Sequence, residues 1–266
     1  MPFAWLGAVL IGVTLGLLGS GGSILTVPIL KYLAGEPDKV AIAESLAIVG
    51  TIALFGAVPY AKARLVDARS VLFFGVPGLA GTYAGAALAA QVPGPVQLVL
   101  FAVLMLAAAW RMLRGAPTPA ADGDASRLSR GMLAALGAGV GVVTGLVGVG
   151  GGFLIVPALV LVAGLPMRRA VGTSLVVIAL NSAVGVAKHA ATLHAQGLAL
   201  HVPLILGFAV LGIAGAWAGQ RFGQKVPQAT LRKGFAVFLV AMGAFILWRE
   251  VPGVLASPPT VAVSLR

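Results

Sequence analysis

The chain has 266 residues, 59% of them hydrophobic and only 9% charged. A soluble domain carries about 25% charged residues, so this composition excludes a water-facing globule and, with a mean hydropathy of +1.05, points to the bilayer. The formal charge of +11 reads as nucleic-acid binding in a soluble protein. Here Lys and Arg sit singly or in pairs between apolar runs, where topology signals and lipid headgroups account for them, and an anionic substrate is compatible with that. Nucleic acid is therefore set aside as a partner. The absence of Cys excludes disulfides, thiolate metal sites and a cysteine nucleophile.

Met1 to Leu10 contains no Lys or Arg. The basic region of a cleavable signal is missing, so the first apolar run reads as a retained membrane segment. A spanning helix needs about 20 mostly apolar residues. Such runs lie at about 3–34, 41–61, 70–91 and 95–114, and again at about 131–163, 170–190, 201–221 and 231–248. Between the sets, 115–130 is rich in Pro, Gly, Asp and Ser and reads as a solvated linker. The tail 249–266 carries Pro252, Pro258 and Pro259 and reads as loosely ordered. The expected fold is all-α: a polytopic transmembrane bundle of about eight apolar spans in two homologous halves, 1–114 and 131–248. The runs 3–34 and 131–163 are too long for one simple span, and each has a glycine cluster at its middle. The first helix of each half is therefore expected to be glycine-broken, as a strongly tilted and broken helix or as a helix followed by a re-entrant segment.

The halves repeat each other. With Gly16 placed over Gly145, glycines match at 19/148, 21/150, 22/151 and 35/164, prolines at 28/157 and 37/166, and Ser-Leu at 45–46/174–175. After a few inserted residues the register recovers, with Gly81 and Gly85 over Gly215 and Gly219 and Val-Pro 92–93 over 226–227. Internal symmetry of this kind is common in secondary transporters.

The paired element is G-x-x-G-x-G-G-x-x-x-x-x-P, at Gly16–Pro28 and Gly145–Pro157. Each glycine inside a helix costs about 1 kcal/mol relative to Ala, and glycine leaves backbone amides accessible. A helix broken within the membrane exposes N–H groups that a bound anion can satisfy, helped by the positive end of the following half-helix. Gly19, Gly21, Gly22, Gly148, Gly150 and Gly151 are thus candidate substrate-binding positions, with Pro28 and Pro157 structural. The competing reading is close helix packing, which fits the spacings 81/85 and 215/219 best. A phosphate-binding loop is excluded, because Gly21-Gly22-Ser23 lacks the Lys and the strand context.

These duplicated motifs, with Gly-Thr-Ser-Leu at 172–175 and the four-plus-four apolar runs, resemble the sulfite exporter TauE/SafE family of bacterial membrane transporters over nearly the whole chain. The resemblance implies transport of a small anion: sulfite, an organosulfonate, or a related sulfur-containing or carboxylate anion. It places the chain in a bacterial cytoplasmic membrane as a multi-pass protein without a cofactor. One departure is that the first half has Glu44-Ser45 where the second has Thr173-Ser174.

A carboxylate within a span is a functional candidate by default. Glu44 is therefore a candidate for coupling to a proton or sodium ion, the alternative being an interfacial salt bridge to Lys39 or Lys31. Asn181 and Ser182 are placed to bond substrate or another helix. Ser45, Thr173 and Ser174 are candidate substrate contacts, against the alternative that they bond their own helix. His189 is a second coupling candidate, whereas His194 and His201 read as loop-facing. The 189/194 spacing is not a helical metal pair, so no metal is expected. No nucleophile–base set and no His-Glu-x-x-His appears, which argues against an enzyme. The leading expectation is a secondary transporter, with a channel-like anion pore or a membrane-bound enzyme or assembly factor as alternatives. Eight simple spans would place ten Lys and Arg on one side and eight on the other, no usable bias. That weakness favours halves with an odd number of crossings, inverted relative to each other.

Overall fold

The computed structural model describes residues 2–19, 21–114, 129–147 and 152–256. The first apolar run of each half holds two described helices, so among the described residues each half contributes five. These are α1 (Pro2–Leu18), α2 (Gly21–Ile29, prolonged by a π-helical turn Leu30–Ala34), α3 (Asp38–Lys62), α4 (Ala68–Ala89) and α5 (Gly94–Leu113). The second set is α6 (Arg130–Val147), α7 (Gly152–Leu161), α8 (Met167–Ala195), α9 (Val202–Gly223) and α10 (Gln228–Ala256). Among the described residues, seven helices are long and apolar enough to cross a membrane, and α1 and α2 are shorter apolar helices. Helix α10 runs through Pro252 to Ala256, beyond the apolar run that ends at 248.

Local signals account for the breaks. Gly19, with φ +75°, adopts the left-handed conformation that ends α1. Gly35 and Gly164, one repeat apart, also have positive φ, and Pro37 and Pro166 then N-cap α3 and α8. This is the Gly-then-Pro order that stops one helix and starts another. Pro28 and Pro157 lie inside α2 and α7. The second glycine cluster, Gly148, Gly150 and Gly151, lies outside the described residues.

Close glycine contacts reveal the direction of each helix. A Cβ on Gly22 would lie 2.2 Å from the Ile11 carbonyl oxygen, and one on Gly7 2.9 Å from Ile29. Helix α2 therefore folds back along α1. Gly12 lies on Gly212 and Gly16 on Ala216, so α1 and α9 run the same way. Gly81 lies on Ala138 and Gly85 on Val142, so α4 and α6 also run the same way. The central pair is antiparallel, with Gly50 on Ser182 and Gly185 on Leu46. Helix α5 packs on α10. Each contact between halves thus has its counterpart: first helix on fourth, third on third, fifth on fifth. That is a two-fold relation perpendicular to the helices, and equivalent helices point in opposite directions.

The bundle has two ends. One, the linker face, carries the end of α5 and the start of α6. The other, the termini face, carries the start of α1 and the end of α10. Lys62, Arg64 and Arg69 flank the α3–α4 turn at the linker face, with Arg168 and Arg169 opening α8 beside it. Arg111, Arg114 and Arg130 lie at the same face at the end of α5 and the start of α6, with Arg221 in the last turn of α9, Lys225 in the turn that follows, and Arg232 and Lys233 early in α10. The termini face holds Lys31, Lys39, Lys188 and Arg249 among the described residues, together with Glu36, Asp38, Glu44 and Glu250. Large apolar side chains such as Phe3, Leu6, Leu54 and Val210 are exposed along the helices, as lipid contact requires.

Candidate functional site

Seven buried polar residues, Glu44, Ser45, Thr173, Ser174, Asn181, Ser182 and His189, lie along the antiparallel pair α3–α8. Asn181 is 1% exposed, and Ser182 and Thr82 are buried with it. Neither Asn181 Oδ1 nor Nδ2, nor Ser182 Oγ, nor Thr82 Oγ1 has a hydrogen-bond partner among the described residues. Asn181 faces Gly78 of α4, Ser182 faces Gly50 of α3, and Thr82 lies beside Gly185 of α8. Small residues thus open room at a seam lined by polar groups. An unpaired buried polar group costs about 1–3 kcal/mol, so such a cluster is expected where a polar solute or water completes the bonds. The donors are a carboxamide and two hydroxyls, all neutral, and suit an anion whose oxygens accept hydrogen bonds.

Toward the termini face, His189 Nε2 lies 3.2 Å from the Gly145 carbonyl oxygen. Two turns nearer the start of α3 from Gly50, the Glu44 carboxylate is fully buried. Its Oε1 accepts the backbone N–H of His201 at 2.7 Å, and its Oε2 has no partner. His201 Nδ1 lies 2.7 Å from Glu36 Oε1 and 3.7 Å from Glu44 Oε1. The bond to Glu36, and the negative charge it brings, hold the exposed His201 imidazole above the ordinary histidine range. Neither proposed lysine pairs with Glu44. Lys31 bridges Asp38 and Glu250, and Lys39 bonds the Ala89 and Val92 carbonyls and Gln97 Oε1.

At the linker face the hydroxyls of Thr173 and Ser174 are engaged. Thr173 Oγ1 accepts the Asp67 N–H at 2.9 Å, and the Asp67 carboxylate caps the Ser70 N–H. Ser174 Oγ donates to Val171 O and reaches Gly19 O; at the opposite end of the pair, beside Glu44, Ser45 Oγ donates to Ile42 O. A Cβ on Gly19 would meet Val171 at 2.8 Å and Ser174 Oγ at 2.9 Å. Gly19 and Ser174 are thus brought together, while Gly22 is packed on α1 and Gly21 opens α2. A cleft of about 560 Å³ lies near this end, lined by Pro59, Trp217, Gln220 and Arg221 among others.

Glu36, Thr82 and the role of His201 escape a reading along the chain. The repeat itself carries a signal: the second register places His201 over Asp67, and both donate their backbone N–H to the residue pair 44/173.

The fold and this polar core define a polytopic α-helical membrane protein with inverted halves. The chain belongs to the sulfite exporter TauE/SafE family, whose profile matches residues 4–246. It is 32% identical over 247 residues to a probable membrane transporter protein of Xylella fastidiosa, covering 91% of this chain and 92% of that one. A probable membrane transporter protein of Methanocaldococcus jannaschii is 28% identical over 254 residues, covering 90% and 94%. Another, from Bacillus subtilis, is 26% identical over 270 residues, covering 91% and 96%. No solved structure matches. The family is described as a sulfite exporter and the relatives as probable membrane transporters.

Proposed function

We propose that the protein is a gradient-driven secondary transporter of a small anion: sulfite, an organosulfonate, or a related sulfur-containing or carboxylate anion. The observation that carries this reading is the unpartnered Asn181–Ser182–Thr82 seam on the buried antiparallel pair of an inverted bundle. Inverted repeats with a site at their interface are the architecture of alternating access. In this reading 1–114 and 131–248 are the two repeats, joined by the linker 115–130 and followed by the tail 249–266. They rock about α3–α8 within a bacterial cytoplasmic membrane. Asn181 and the seam hydroxyls bind the anion. The α1–α2 and α6–α7 breaks (Gly19, Gly21, Gly22; Gly148, Gly150, Gly151), with Ser45, Thr173 and Ser174, line its exits. Pro28 and Pro157 shape the returning helices, and His189 and Glu44 serve coupling.

The test is uptake and efflux of sulfite, sulfoacetate and thiosulfate in proteoliposomes under imposed proton or sodium gradients. Saturable accumulation against a concentration gradient is expected. Purely downhill, non-saturating flux would replace this reading with a channel, and no flux of any of the three would remove this substrate class.

A further inference from the structure

We infer that Glu36, Glu44 and His201 form the binding site of the coupling proton, opening to the termini face. This inference rests on the transporter reading for the word coupling, and on the geometry alone for the proton.

Three separate stretches build the site: the α2–α3 turn, the first part of α3, and the residue that precedes α9. Two carboxylates face one imidazole, at 2.7 and 3.7 Å from Nδ1. The neighbouring charges are committed elsewhere. From α2 and α3, Lys31 holds Asp38 and Glu250, and Lys39 holds the α4–α5 turn. From α8, Lys188 lies over Tyr83 and His189 bonds the Gly145 carbonyl. From α10, Arg249 lies over Tyr32 and Glu250 is taken by Lys31. The α8–α9 turn meets α3 at this point with apolar side chains, as Leu193 and Leu200 pack on Val40 and Ala43. No Lys or Arg among the described residues bridges Glu36 or Glu44. An ionised carboxylate that is fully buried and half unpartnered is costly, and a shared proton removes that cost.

The two-fold relation supplies the second argument. At the linker face the same backbone bond is made to Thr173, a hydroxyl, and the residue in place of Glu36 is Leu165. Holding the turn needs only an acceptor. A buried carboxylate with a second, free oxygen exceeds that structural need, and it is the Oε2 of Glu44 that has no partner. His201, with 62% of its side chain exposed, is the entrance. One proton from the aqueous phase binds the imidazole and passes to Glu44, leaving the imidazole neutral; its release after rearrangement restores the starting charges.

The chain has three histidines, so nitrogen-labelled histidine NMR of the full-length protein in detergent follows His201 directly, assigned with His201→Gln. Glu44→Gln is expected to displace the His201 titration midpoint by about half a unit or more, while Thr173→Val leaves it in place. In proteoliposomes, Glu44→Gln is expected to lose anion accumulation driven by a pH gradient about tenfold or more while anion–anion exchange at equal pH persists. An unmoved midpoint overturns the site whatever the transport result, and so does undiminished gradient-driven accumulation in Glu44→Gln. A displaced midpoint without any anion flux leaves the proton site standing and overturns the transporter reading instead.

A different observation carries a second inference: we infer that the linker face is cytoplasmic. Inversion of the halves collects twelve described Lys and Arg at that face against four at the other (those named above). This is the bias expected of short cytoplasmic loops, and it is hidden when the halves are taken as parallel. The proton site then faces the exterior. Phosphatase and fluorescent-protein fusions in the linker and after Arg266 test it: fluorescence from the linker and phosphatase activity from the C-terminus are expected. The reverse pattern overturns the orientation, and both reporters on one side overturn the inverted arrangement too.

Discussion

Two seams related by the two-fold axis differ in chemistry although they share a scaffold. On the α3–α9 seam, Ile52 fills the space over Gly212, and the residues Ala53 and Ala216 are buried and apolar. On the α8–α4 seam the equivalent residues are Asn181 over Gly78, Ser182 and Thr82. The difference continues toward the ends. Tyr60 donates to the Gly16 carbonyl where His189 faces that of Gly145, and Thr173 accepts from Asp67 where Glu44 accepts from His201. Backbone geometry is repeated wherever helices must touch. The unpartnered mid-helix polar groups and His189 lie on the α8 side, whereas the Glu44–His201 pair lies at the end of the α3–α9 seam, so the scaffold is symmetric and its chemistry is not.

The largest effect is expected where the seams are alike. A Cβ on Gly16 or Gly145 would lie 2.0 Å from a backbone carbonyl oxygen, of Ala216 or Thr82. Backbone cannot yield as a side chain does, so Gly16→Leu and Gly145→Leu should each cost about 4 kcal/mol or more. Size-exclusion profiles in detergent should lose the monodisperse peak for both. A folded, active Gly145→Leu would break the proposed helix contact.

The next effect separates the seams. Asn181→Leu should lower anion flux about tenfold or more while preserving the folded peak, since it removes unpaired polar atoms. Ile52→Leu, at the equivalent place, should keep flux within about twofold and lower thermal stability by about 1 kcal/mol. Equal flux losses in the two variants would make the seams functionally alike.

Smaller still is the loss at the linker-face turn. Thr173→Val leaves the Asp67 N–H without its acceptor, a cost of about 1 kcal/mol. It should appear as a lower melting temperature with the pH dependence of flux unchanged. A changed pH profile would mean that the hydroxyl end also carries coupling.

The smallest effect is a pH dependence of stability. His201 titrates higher in the folded chain than when unfolded, because Glu36 favours its charged form. Its contribution is therefore fully present below the unfolded value of about 6.5 and is lost as pH rises through the raised folded value. The melting temperature of the wild type should exceed that of His201→Gln at pH 5.5 by more than at pH 9. A gap that widens with pH would reverse the sign and discard the Glu36 contact.

Much of this was legible along the chain. The bilayer as solvent follows from composition, because a surface with so little charge has no other partner. The two halves, the breaks at the first glycine cluster, and the ends at Gly35 and Gly164 follow from local rules: apolar length, backbone freedom at glycine, and proline as a helix start. Glu44 and Asn181 stood out as polar residues inside apolar runs. Tertiary structure decided which helices meet. Helix α1 rests on α9 of the other half through Gly12 and Gly16, and Glu44 ignores Lys31 and Lys39, close in sequence, for His201, 157 residues away. Inversion itself is invisible to helix-by-helix reading, since an apolar span has the same composition in either direction. Only the register of close contacts between distant segments, set by where small residues let backbones approach, gives each span its direction and brings Asn181, Ser182 and Thr82 together.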